Sequence, residues 1–131
     1  MKISKDNFFF GVGPKSFRFE CKKDKYNIPH ACSTHPHNTY IQLLSETGIF
    51  SFIIVITIFI YCFFKIFKVK LNSKKNENDD IKFFLYIALF ISLWPFSPTG
   101  SFFNNWLNII YYIPIAFILH LDEKNKNFTY L

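Results

Sequence analysis

A chain of 131 residues is one domain or part of one. Half of its residues are hydrophobic and it holds 19 Phe, more apolar surface than a soluble core of this size could bury, so lipid is the natural solvent for the surplus. The net charge of +6 comes from Lys scattered among apolar runs, without a basic helix stripe or recognition motif; this argues against nucleic acid and for anionic lipid head groups as partners.

Residues 1–36 read as a polar loop segment. Met1 to Asn7 is charged and Phe8-Phe9-Phe10 is too short for the apolar region of a signal peptide, so insertion would use internal apolar segments. Gly11-Val12-Gly13-Pro14-Lys15-Ser16-Phe17-Arg18 is a turn with an open backbone. It reads first as a surface turn, with a phosphate cradle of bare amides, Lys15 and Arg18 as the sharper alternative. Cys21 and Cys32 bracket an aperiodic polar stretch. They would form a disulfide if this stretch lies outside the cytoplasm and be free thiols if it lies inside. A metal site built from Cys21, His30, Cys32, His35 and His37 matches no usual zinc spacing, so no metal and no cofactor is expected.

His35-Pro36-His37-Asn38 is the place where imidazoles and an amide crowd together just before a long apolar run. Histidine takes or gives a proton near neutral pH, so two of them at a membrane boundary suggest chemistry there. From Ser33 the pattern turns helical, with Ser33 or Thr34 as cap and Asn38 able to offer its side chain to nearby amides. Tyr40, Leu43, Leu44 and Thr47 form the apolar stripe of an amphipathic helix over 37–48, on a membrane surface or on a neighbouring protein face, and His37, Gln42, Ser45 and Glu46 lie off it.

Residues 49–69 form the first membrane span: Ile49 to Phe64 carries no charge, Lys65, Lys68 and Lys70 follow at once, and Lys65 snorkels toward the head groups. Residues 70–82 are a solvated cytoplasmic loop. Residues 83–97 and 105–121 are two further spans around an outer turn at 98–104, which is marked by Pro95, Pro98 and Gly100; 122–131 is a charged tail. Asn104, Asn105 and Asn108 make a second polar spot, costly in a membrane unless they face a partner or watery cavity. The fold expected is thus an all-α polytopic membrane protein with about three transmembrane helices, preceded by a periplasmic loop and an amphipathic helix. Five Lys between residues 65 and 75, against none at 29–48, put the loop after the first span inside and the histidines outside.

Gly11-Val12-Gly13-Pro14 with Phe17, then His35-Pro36-His37-Asn38-x-Tyr40-Ile41-x-Leu43-x-x-Glu46-x-Gly48, and later Pro98-Thr99-Gly100-Ser101-Phe102-Phe103-Asn104-Asn105-Trp106, resemble the C-terminal part of the O-antigen ligase and polymerase family. That family's motif of His, then Asn, Ser or Gln, nine residues and Gly-x-x-Gly is met by His37, Asn38 and Gly48, with Ser51 in place of the last glycine. The family's Arg-x-x-x-Leu has no counterpart, since Arg18 is followed four positions later by Lys22.

The resemblance implies a bacterial inner-membrane glycosyltransferase that moves glycan from a polyprenyl-diphosphate carrier to a lipid or glycan acceptor at the periplasmic face, with neither nucleotide sugar nor metal. His37 would be the general base or a diphosphate ligand. On charge grounds Arg18 joins it as a catalytic candidate and Lys15 as a binding one; His35, Asn38 and Glu46 complete the substrate-binding set. Family members have many more spans than three, so the chain is expected to be a fragment that needs a complementary N-terminal chain. The alternative is a small membrane protein that binds a partner or anionic lipid without catalysis.

Overall fold

The computed structural model describes residues 2–27, 32–71 and 77–129. His30 and Lys74 and Lys75 of the expected loop lie outside the described residues. The described residues form six helices, α1 (Lys2–Asp6), α2 (Phe17–Glu20), α3 (Thr39–Glu46), α4 (Gly48–Leu71), α5 (Glu77–Ser92) and α6 (Asn105–Thr129). They divide into two compact units, one of residues 1–57 and 95–107, the other of 58–94 and 108–131.

Among the described residues, α4 is the one helix long and apolar enough to cross a membrane. Only 11% of its most apolar stretch is buried within the protein, so it is not a soluble core helix, and Phe50, Ile53, Ile54, Phe64 and Phe67 stand exposed along it. The second expected span, 83–97, differs: α5 starts earlier, at Glu77, and stops at Ser92 because Pro95 disfavours helical backbone ahead of it. At 16 residues α5 is shorter than the roughly 20 a span requires. The third expected helix does not stop at 121; α6 runs on through the charged tail to Thr129, with Pro114 inside it.

The second unit has its own core of Cys62, Tyr86, Leu89 and Ile118, with Ile58, Ile66, Leu85, Phe90 and Ile115 against it. Phe59 stacks on Phe90 at 4.7 Å between ring centroids, and Lys82 pairs with Asp122 at 3.0 Å. In the first unit the loop at 8–13 lies against the α3–α4 junction. Ile49 N donates to Phe8 O at 2.9 Å, Val12 N to Ser45 O at 3.0 Å and Gly13 N to Glu46 O at 2.8 Å. Such backbone-on-backbone contact leaves no room for a side chain. A Cβ on Gly48 (φ +78) would sit 2.1 Å from Phe9 O, and one on Gly11 (φ +66) would sit 2.3 Å from the Glu46 carbonyl carbon.

Gly48→Ala is therefore expected to destabilise the chain by more than about 2 kcal/mol, combining left-handed strain with a collision against backbone. Gly100→Ala, where an added Cβ would meet the movable end of Leu107 at 2.6 Å, is expected to cost about 1 kcal/mol or less. Thermal unfolding of the two variants in detergent checks the order; equal losses would show that the 8–13 loop does not rest on Gly48.

Candidate functional site

The site grows from the start of α3. Asn38 is extended (φ −151, ψ 125), and its Oδ1 accepts from Tyr40 N at 3.0 Å and Ile41 N at 3.1 Å, capping the helix. Ser33 and Thr34, the expected caps, are used locally instead: Ser33 Oγ donates to His35 O at 2.7 Å and Thr34 Oγ1 lies 3.0 Å from His35 Nδ1. Pro36 explains the shift, because it disfavours helical backbone at His35 and delays the start to Thr39. His35 and His37 are brought together, with ring centroids 4.7 Å apart. His37 is exposed, whereas His35 Nε2 is buried without a hydrogen-bond partner.

The polar face of α3 is the second finding. The expected helix lays its apolar stripe on a membrane surface or a neighbouring protein face, with Gln42, Ser45 and Glu46 off that stripe. In the structure Gln42 and Glu46 have no exposed surface, and Ser45 is 1% exposed. The partners that permit this are residues 95–102, distant in sequence, and the loop ahead of α2.

Asn38 Nδ2 donates to Pro95 O at 2.6 Å, Thr39 Oγ1 meets Thr99 Oγ1 at 2.9 Å, and Thr99 N donates to His37 O at 3.0 Å. Gln42 Oε1 accepts from Phe102 N at 2.8 Å, while its Nε2 donates to Glu46 Oε2 at 2.8 Å and to Ser101 Oγ at 3.0 Å. Glu46 Oε1 accepts from Phe17 N at 2.9 Å. The apolar stripe is covered too, Leu43 being 2% exposed and Tyr40 packing edge-on to Phe52.

The Gly11–Arg18 turn is a surface turn, as its sequence first suggests, with Pro14 exposed at its tip, but it is not a cradle of bare amides. Its amides are consumed: Gly11 N donates to Asn7 O, Ser16 N to Gly13 O, and Val12, Gly13 and Phe17 donate to the last turn of α3. The carbonyls ending a helix lack internal donors, and this turn supplies them. Lys15 (φ +60) and Arg18 project from it exposed. Among the described residues no hydrogen bond or ion pair joins either cation to His35 or His37. Glu46, expected to bind substrate, is enclosed with both carboxylate oxygens occupied by internal donors.

Cys21 and Cys32 are bonded to each other, with Cα atoms 5.4 Å apart, tying the end of α2 to the segment that leads into the histidines. Asp6 adds a tether, accepting from Lys25 Nζ at 2.7 Å and Tyr26 Oη at 2.9 Å. The hydrogen bond from Lys25, then that from Tyr26, holds the Asp6 carboxyl below its ordinary value. That support is present above the usual carboxylate range and is lost as pH falls through the lowered value. The asparagines expected to form a second polar spot do not join the site. Asn104 and Asn105 are exposed, and Asn104 Oδ1 caps α6 by accepting from Trp106 N at 3.2 Å.

Thr39, Gln42, Thr99 and Ser101 are thus the residues that sequence reasoning missed. A signal existed for the first two: Thr39, Gln42 and Glu46 recur at helical spacing and make a polar stripe in a segment about to enter lipid.

These elements coincide with a known family. Residues 1–56 match the O-antigen ligase family. The match takes in α1, α2, α3 and the start of α4, and it ends short of residues 95–102. No curated protein and no solved structure matches the chain.

Replacing both Cys21 and Cys32 by Ser is expected to speed trypsin cleavage after Lys22, Lys23 and Lys25 by about tenfold or more, since closing a loop of this length is worth about 2–4 kcal/mol. Unchanged cleavage would show that the disulfide does not hold the segment before the histidines.

Proposed function

We propose that the chain is the periplasm-facing C-terminal part of an inner-membrane glycosyltransferase of O-antigen ligase type. It would move glycan from a polyprenyl-diphosphate carrier to an acceptor sugar on a lipid or glycan, together with the further helices of the family's bundle. The observation that carries this reading is an exposed His37 whose backbone is fixed by Thr99, within the stretch that matches the family.

In the reaction the acceptor hydroxyl oxygen bonds to the anomeric carbon as the bond from that carbon to the diphosphate oxygen breaks. His37 takes the hydroxyl proton as general base, or else serves as a ligand of the diphosphate. Lys15 and Arg18 neutralise the charge that develops on the leaving diphosphate. His35 packs against the His37 ring and orients it. Asn38 serves by holding the helix start and the turn at Pro95 rather than by touching sugar, because both ends of its amide are occupied. The reading calls for no metal and no cofactor.

Two observations support the outward orientation. A disulfide belongs to an oxidising compartment, and the Lys cluster from Lys65 onward belongs to the cytoplasmic side. Three crossings, by α4, by the stretch containing α5 and by the apolar part of α6, remain the topology proposed.

His37→Ala is expected to lower glycan transfer by about 100-fold or more in cells or proteoliposomes that supply the complementary helices, the loss typical of removing a general base. His30→Ala is expected to retain transfer. Equal activity of the two variants would remove His37 from the mechanism.

A further inference from the structure

We infer that Gln42 and Glu46 are positioning residues, a buried acceptor-donor relay that sets the Arg18-bearing turn and residues 99–102 against the helix that begins beside His37. The directions of the hydrogen bonds carry the argument. Phe102 N–H fixes Gln42 Oε1 as an acceptor, so Gln42 Nε2 must donate, and it does so to Glu46 Oε2 and Ser101 Oγ. Phe17 N–H claims the other oxygen of Glu46. Both oxygens of Glu46 therefore face donors, a demand that an ionised carboxylate meets and an amide does not. Neither side chain has exposed surface, so neither reaches a substrate; what each does, it does through the segments it holds. Phe17 opens α2 and directly precedes Arg18, while Phe102 and Ser101 follow Thr99, whose amide holds the His37 carbonyl.

This arrangement makes a sharp demand on substitution. Glu46→Gln offers one acceptor where two donors converge, so one contact becomes donor against donor. Gln42→Glu places two carboxylates side by side. The double swap, Gln42→Glu with Glu46→Gln, keeps every contact: the new carboxylate accepts from Phe102 N–H, the new amide and the Ser101 hydroxyl, and the new amide oxygen accepts from Phe17 N–H. A charge needed at position 46 for chemistry would not survive that exchange, whereas a positioning role would.

The consequence for transfer rests on the glycosyltransferase reading, and the experiment separates the two. Hydrogen exchange at the Phe17 and Phe102 amides is measured in the detergent-solubilised chain for the native protein, the two single variants and the swap, followed by glycan transfer in the complemented system. Exchange about tenfold or more faster in each single variant, restored by the swap, is expected, in line with the loss of a buried hydrogen bond to a charged group. Transfer is expected to fall with the single variants, chiefly in kcat, and to return with the swap. Unaltered exchange in the single variants, or no recovery in the swap, overturns the relay. Recovery of exchange without recovery of transfer overturns the positioning role in favour of a chemical need for the carboxylate at 46. A native chain that transfers no glycan in any assembly counts against the glycosyltransferase reading alone, since the exchange arm still decides the relay.

Discussion

A carboxylate removed from water has to find hydrogen-bond donors, and Glu46 sits where that is hardest. Burial alone makes a charge costly, and the last turn of a helix, with its unpaired carbonyls, is the negative end of the helix dipole. One short loop offsets both disadvantages. Val12 and Gly13 send their amides to the carbonyls of Ser45 and Glu46, and Phe17 sends its amide to the Glu46 side chain. For three amides to converge there, the loop must lie backbone against backbone on the α3–α4 junction, and this is why Gly11 and Gly48 carry no side chain. The glycines, the carboxylate and the position of α2 are consequences of one constraint.

The opposite end of α3 is settled by a different neighbour. Residues 95–102 supply a carbonyl to Asn38, a hydroxyl to Thr39, and Ser101 Oγ and the Phe102 amide to Gln42, while Thr99 takes the carbonyl of His37. The backbone at His37 is thereby fixed while its imidazole stays exposed. A group that transfers a proton benefits from this combination, because orientation is supplied in advance and access is preserved.

Much of this was legible in the sequence and part was not, for definite reasons. The long apolar run declares α4, and His37, Asn38 and Gly48 lie within residues 1–56, which match the O-antigen ligase family; both signals are contained in contiguous residues. The ability of Asn38 to bond nearby amides was also readable, because capping is local; its selection over Ser33 and Thr34 turned on Pro36. The burial of Gln42 and Glu46 was hidden because their partners lie 59 and 60 residues away at Ser101 and Phe102, or 29 away at Phe17. A polar stripe read by itself looks solvated. The role of the Gly11–Phe17 turn was hidden for the same reason: it reads as a surface turn, with an anion cradle as the alternative, until the helix end that takes up its amides is known.

An eight-residue helix is too short to persist in water on its own, since nucleation is costly and few bonds are gained. α3 has the start of α4 on one side and otherwise rests on α1, α2 and the loop between them, and on residues 95–102. Its helical state, and with it the placement of His37, therefore depends on contacts from both parts of the chain. The sequence match covers the first of them and stops before the second. What holds the histidine segment in place is thus not contained in the stretch that matches the family, and the return of the chain at Pro95–Phe102 fixes the backbone at His37 as much as the Asn38 cap does.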